Sequence, residues 1–263
     1  MIRLGGTASA SHMVVFQGLQ SYLQRKGIDV DWVLYSGYDA LVEAFVTGEI
    51  DVAWNGPLSY VKIKRLLEKP CRVVVMRDVD VDYITHFITQ PASNITTVAD
   101  LSGKRFAFGS RASVQAGLLA YHFLRQAGVD PRDDLASFTF HDQRGSGAST
   151  DEVDVIERVA SGEYDAGAVS KPALRRMEED GALPPGGVRI FWSSPTYSHC
   201  CFTAQSDMDE TLARRFTEAL VSMPYSDPVG KAVLDGEGCR SFVRGTTAGW
   251  EMLERVAEEE GLV

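Results

Sequence analysis

Two stretches of the chain repeat one order of apolar and polar positions. Residues 40–57, ALVEAFVTGEIDVAWNGP, and residues 154–172, DVIERVASGEYDAGAVSKP, each carry apolar side chains at helical spacing, then a Gly, then a short apolar run. That order predicts an amphipathic helix ending at a left-handed Gly, a tight turn and a buried strand. Aligned without gaps, Glu43 meets Glu157, Gly48 and Glu49 meet Gly162 and Glu163, and Asp51 meets Asp165.

The likeness continues upstream in kind. IRLGGTASASHMVVFQGLQSYLQRKG and KRFAFGSRASVQAGLLAYHFLRQAG both read as strand, small-residue loop, helix and terminal Gly, followed by the β-rich DVDWVLYS and ASFTFHDQ. Two β-α-β-α-β units in tandem predict an α/β protein of two lobes, each a mostly parallel sheet flanked by helices. The β-rich stretches DVDYITHFITQP and VRIFWSSPTYSHCCFTAQ are expected to cross between lobes. They place lobe 1 at residues 1–86 and 195–263 and lobe 2 at residues 87–194, with a ligand cleft between them. The tail from about Asp209 reads as helical and is expected to pack on lobe 1.

The composition is that of a globular protein: 263 residues, 44% hydrophobic and 24% charged. A formal net charge of −10 argues against nucleic acid or an anionic membrane surface as partner, because polyanions gain nothing from an acidic face. No apolar run approaches the ~20 residues of a membrane span, so no insertion is expected. The start, Met1-Ile2-Arg3-Leu4, reads as a strand and not as a leader. As written the chain is expected to be cytoplasmic, or periplasmic or extracellular if a leader has been removed. Cys71, Cys200, Cys201 and Cys239 lack metal-ligand spacing and read as reduced thiols. With no Gly-rich nucleotide loop, HExxH or Ser elbow, no cofactor and no metal is expected.

The stretch YSGYDALVEAFVTGEIDVAWNGPLSYV resembles the phosphate/phosphite/phosphonate-binding proteins of ABC transporters. LSGKRFAFGSRAS, LRQAGVDP, SGEYDAGAVS and DPVGKAVL resemble further features of that family, in order. The resemblance implies the periplasmic-binding-protein type II fold, two lobes closing on a small ligand, and an ABC permease as partner. The family's oxyanion loop, rich in Ser and Thr, corresponds to Ser110, Arg111, Ala112 and Ser113, followed here by Val114 and Gln115. Where the family carries a His near the second helix start, this chain has Ser149, Thr150, Asp151 and Glu152. An acid there repels a dianion, so phosphonate-like, sulfonate and carboxylate ligands all remain open. The resemblance also implies a ligand contact at Tyr83.

Open α/β sheets bind ligands beyond the carboxyl ends of their strands. Ser36, Tyr38, Asn55, Ser110, Ser113 and Ser170 fall at such points; each alone reads as a cap or turn residue, and together they read as a polar site. Tyr38 and Glu152 occupy equivalent places in the two copies. Ser9 and His12 lie in the first helix-start loop, and Arg111 in the second can hold a carboxylate bidentately. Tyr197, His199 and Cys200 follow a crossover close to the expected cleft. Strand alternation there sends His199 and Cys201 to one face and Ser198 and Cys200 to the other.

Two functions follow. One is a solute-binding protein for a small polar or anionic metabolite, serving transport or sensing. The other is a cytosolic lyase or hydrolase on the same scaffold, with Cys200, His199, Glu152 and His12 as the catalytic set and Arg111 as anchor.

Overall fold

A computed structural model describes the chain from Met1 to Val263 with the exception of Ser146 and Ser149. In chain order it forms β1 (Ile2–Thr7), α1 (Ala10–Arg25), β2 (Val30–Tyr35), α2 (Tyr38–Val46), β3 (Val52–Asn55), α3 (Pro57–Leu66) and β4 (Arg72–Arg77). There follow β5 (Thr85–Thr89), β6 (Arg105–Ala107), α4 (Leu119–Gln126), β7 (Ser137–Thr139), α5 (Asp151–Ser161), β8 (Ala166–Ser170), α6 (Lys171–Glu179) and β9 (Arg189–Ser193). The chain ends with β10 (Cys201–Ala204), α7 (Glu210–Val221), α8 (Pro228–Gly236), β11 (Phe242–Arg244) and α9 (Glu251–Glu259). Two compact units result, Met1–Asp82 with Tyr197–Val263, and Tyr83–Thr196.

The first unit is built on a six-stranded sheet ordered β11-β4-β10-β3-β1-β2. β1 runs parallel to β2 and β3, whereas β10 is antiparallel to β3 and β4, and β11 to β4. Phe202 of β10 lies opposite Trp54 of β3, their rings stacked at 4.4 Å, and Leu4, Phe16, Leu220 and Phe242 fill the core around them. β1 carries Gly5 and Gly6 where side chains press on it: a Cβ on Gly5 would lie 2.4 Å from Ile50 Cδ1, and one on Gly6 2.4 Å from Phe16 Cζ of α1. The tail belongs to this unit, α8 against α1 and α9 against α3, and it contributes the strand β11, which a purely helical reading misses.

The second unit carries a five-stranded sheet ordered β7-β6-β8-β5-β9. β6 is parallel to β7 and β8, and β5 is antiparallel to β8 and β9. Parallel pairing therefore holds in the β-α-β-α-β halves and each sheet as a whole is mixed. The antiparallel strands β5 and β10 follow β4 and β9 without an intervening helix, whereas parallel neighbours need a crossover connection.

The two echoing stretches fold alike in detail. Arg3 at the start of β1 donates from its backbone N–H and Nε to Asp51 Oδ2 at 2.7 and 3.1 Å, and from Nη2 to Asp51 Oδ1 at 2.7 Å and to the Gly48 carbonyl at 3.0 Å. Arg105 at the start of β6 makes the same four bonds to Asp165 and the Gly162 carbonyl, at 2.8, 3.1, 2.8 and 3.0 Å. Gly48 and Gly162 have φ of 75° and 80°, the left-handed conformation expected of them.

Candidate functional site

In the first unit, a hollow of about 210 Å³ opens at the carboxyl ends of β1, β3 and β4. β1 delivers Thr7, and the first turn of α1 adds Ser11 and His12. His12 Nδ1 lies 2.6 Å from the Thr7 carbonyl, which can only accept, so Nδ1 carries the proton. Tyr38, the first residue of α2, lays its ring across Gly56, where a Cβ would come within 3.0 Å of it. The N-caps of α2 and α3, Gly37 and Gly56, supply no side-chain cap, which leaves the first-turn N–H groups of both helices without that partner. Desolvation, and then the neighbouring Cys200, push the Tyr38 phenol up to about 12.

Beneath this surface lies a buried charge network. Arg77, the last residue of β4, grips Asp80 through Nε and Nη2 at 2.6 and 2.9 Å. Its Nη1 donates to the Glu237 carbonyl at 2.7 Å and stands 3.7 Å from the Glu237 carboxylate. Burial opposes the charge on Arg77, but Asp80, Cys200 and Glu237 together outweigh it and the guanidinium pKa rises. Burial likewise tends to raise Asp80, yet Arg77 and then His199 hold its carboxyl down at about 2. His199 Nδ1 lies 3.3 Å from Asp80 Oδ1 and 3.1 Å from Cys200 Sγ.

Asp80, His199 and Cys200 bring ligand-type atoms within 4.8 Å of one another, the grouping among the described residues that comes nearest to a metal centre. Arg77 holds both Asp80 oxygens, so a cation would have to compete with it. Burial pushes the Cys200 thiol far up and lowers His199, the direction opposite to that of an activated nucleophile and its base.

In the second unit the helix-start loop presents its donors to the chain's own acids. The Ser110 N–H donates to Asp151 Oδ2 at 2.8 Å and the Arg111 N–H to Asp142 Oδ2 at 2.7 Å. Buried Glu152 accepts from Gln115 Nε2 at 3.0 Å and from the Ser170 N–H. Burial raises the Glu152 pKa, with Gln115 working the other way. The Arg111 guanidinium lies 4.2 Å from the centre of the Phe140 ring, a cation–π contact.

Residues 7–250 match the family described as ABC transporter, phosphonate, periplasmic substrate-binding protein. The chain belongs to this family. Among curated proteins, this substrate-binding protein is similar to the probable ABC transporter phosphite binding protein PhnD1 of Prochlorococcus marinus strain MIT 9301, at 26% identity over 243 residues, 88% of this chain and 79% of that one. Among solved structures it is similar to PhnD1 from Prochlorococcus marinus in complex with methylphosphonate, with a TM-score of 0.74 at 22% identity, covering 100% of this chain and 98% of the other. The periplasmic aliphatic sulphonate binding protein SsuA from Escherichia coli gives a TM-score of 0.58 at 18% identity, covering 100% and 88%. The two-lobed fold follows from these likenesses.

The residues singled out in the sequence of this binding protein are placed as follows. His12, Tyr38 and Cys200 line the first-unit hollow. Ser9 caps α1, accepting from the His12 N–H at 3.0 Å, and Ser36 is exposed in the bend before α2. Asn55 is wholly buried in the sheet, donating to Thr203 Oγ1 at 2.6 Å. Tyr197 and His199 are buried below the hollow, their rings 6.4 Å apart, and Tyr83 is buried at the start of the second unit. Ser113 and Ser170 accept from the N–H groups of Ala116 and Ala173. Ser149 lies outside the described residues.

Strand alternation separates His199 from Cys200, but the two side chains touch. The reason is that β10 begins only at Cys201, so alternation does not apply to residues 198–200. Sequence reasoning missed Thr7, Arg77 and Glu237 in the first unit and Asp142 in the second, and it named Asp151 and Gln115 only as departures from the family's pattern. Arg77 had one available signal, a lone Arg closing the apolar run VVVM.

Proposed function

We propose that this protein captures a small organic oxyanion of the phosphonate, sulfonate or carboxylate class on the outer side of the cytoplasmic membrane and delivers it to an ABC permease. The observation that carries this reading is the polar hollow of about 210 Å³ at the carboxyl ends of β1, β3 and β4. It lies where open α/β sheets take ligands and gathers His12, Tyr38 and two helix starts that lack side-chain caps. A water occupies about 30 Å³ of liquid, so the hollow suits a head group of a few heavy atoms. The phosphite and methylphosphonate in the names of the relatives support the ligand class.

The test is a thermal-shift and calorimetric screen against methylphosphonate, phosphite, small sulfonates and small carboxylates, with mass spectrometry of each mixture afterwards. A ligand at ~100 times its dissociation constant adds about 2.7 kcal/mol of stability, and His12→Ala is expected to weaken binding at least about tenfold. Stabilisation by no member of the set, or chemical conversion of the stabilising compound, sinks the transport reading.

A further inference from the structure

β4 and β10 are antiparallel neighbours in the first sheet, so the chain leaves β4 at Arg77 beside the point where it enters β10 at Cys201. The segments just outside the two strands therefore meet, and the His199 N–H donates to the Asp80 carbonyl at 2.9 Å. That bond brings three side chains of different chemistry together. His199 Nδ1 stands 3.3 Å from Asp80 Oδ1 and 3.1 Å from Cys200 Sγ, and ligand atoms of all three lie within 4.8 Å of one another. A tetrahedral zinc site with metal–ligand lengths of about 2.0–2.3 Å separates its nitrogen, oxygen and sulfur donors by about 3.3–3.6 Å, so small side-chain rotations suffice here. Asp80 is fully buried and His199 nearly so, while half-buried Cys200 lines the hollow and gives the group its opening.

Arg77 competes with a cation for the charge on Asp80 but not for every lone pair. Its Nη2 makes one bond to Oδ1, at 2.9 Å, and a carboxylate oxygen carries two pairs. The other remains for an ion at His199, with Arg77 orienting the carboxylate. The charge balance also favours a dication. Arg77 faces two buried carboxylates, Asp80 and Glu237, so the group carries one formal negative charge, and Glu237 Oε1 is buried without a hydrogen-bond partner among the described residues. A dication bound with loss of the Cys200 proton brings the group to neutrality, the state in which burial costs least.

We propose that Asp80, His199 and Cys200 form a binding site for a thiophilic divalent cation of the zinc class, reached through the first-unit hollow. Thiolate and imidazole select such ions over calcium and magnesium, which prefer oxygen donors throughout. As the ion binds, the Cys200 S–H bond breaks, the sulfur keeps the electron pair for the metal and the proton leaves to solvent. His199 binds through Nδ1 in the tautomer that carries its proton on Nε2. The site is independent of the oxyanion reading, since neither the ion nor its readout needs a solute in the hollow.

Titration of the intact, reduced protein after chelator treatment, with cobalt(II) followed by absorbance and with zinc(II) followed by calorimetry, tests it. The wild type and Cys71→Ser, whose thiol precedes β4 at its other end, are expected to take up about one equivalent of cobalt(II) with a near-ultraviolet thiolate-to-cobalt band that zinc(II) abolishes. Cys200→Ser is expected to lose the band and, like His199→Gln, to bind zinc(II) at least about tenfold more weakly. Absence of the band from the wild type, or a band kept in Cys200→Ser, overturns the site. Should Cys200→Ser not fold, His199→Gln decides: a zinc(II) affinity within about threefold of the wild type overturns the proposal.

Discussion

Arg77→Leu leaves Asp80 and Glu237 buried in each other's field with the cation between them gone. Removing one partner of a buried ion pair costs about 3–5 kcal/mol, because the remaining charge is neither solvated nor paired. Asp80 is fully buried, so it belongs at the upper part of that range near neutral pH. The pH dependence gives a sharper signature. In the wild type the Asp80 carboxyl is held at about 2, below its ordinary 3.8, so its contribution is fully present above the ordinary value and is lost as pH falls through the folded one. That contribution is about 2 kcal/mol. In the variant, burial dominates, Asp80 rises above its ordinary value, and acid stabilises the folded chain. The gap between the two proteins is therefore expected to narrow on going from about pH 7 to about pH 3.5, as measured by urea unfolding followed by far-ultraviolet circular dichroism. A loss under about 1 kcal/mol at neutral pH, or a gap that widens in acid, would refute the reasoning.

Other outcomes follow from the second unit. Burial raises the Glu152 carboxyl, so its contribution is greatest in acid and falls as pH climbs through the raised value; relative to Glu152→Gln, the wild type is expected to lose stability as pH rises above the ordinary 4.5, and a difference independent of pH would rule this out. Gly117→Ala would place a Cβ 2.2 Å from the Ser110 carbonyl oxygen, a backbone clash that is expected to cost about 1–3 kcal/mol and to weaken any ligand contact made by the 110–113 loop. Denaturant melts and the calorimetric screen read both effects, and an unchanged midpoint for Gly117→Ala would show that the loop yields freely.

What the sequence revealed and what it withheld divide along a physical line. Helices α2 and α5, strands β3 and β8, and the two left-handed glycines could be read because each depends on residues within one short window. The charge network could not. Arg77 meets Glu237 only because the tail returns to the first unit, α8 packing on α1 and β11 pairing with β4, across a sequence separation of 160. The contact between His199 and Cys200 was hidden for a local reason, since strand alternation governs the chain only from Cys201 onward. Ser110, Arg111 and Ser170 stand where a polar site was expected, but which acids occupy their N–H groups depends on α5 and on the turn at His141–Gln143 folding back over the loop.

The paired arginine clips have a bearing on how such a protein can change. Arg3 with Asp51, and Arg105 with Asp165, fasten strand to strand at the amino ends of β1 and β6, while the first-unit hollow and the 110–113 loop lie at the carboxyl ends. Assembly instructions and recognition chemistry are thus written at opposite ends of the same strands. The clips match bond for bond in the two halves, while the loops differ, a His and Tyr set in one and an acid-filled turn in the other. A scaffold divided in this way can acquire a new solute by altering loop tips alone, and either half can be rewritten without disturbing the alignment of its strands.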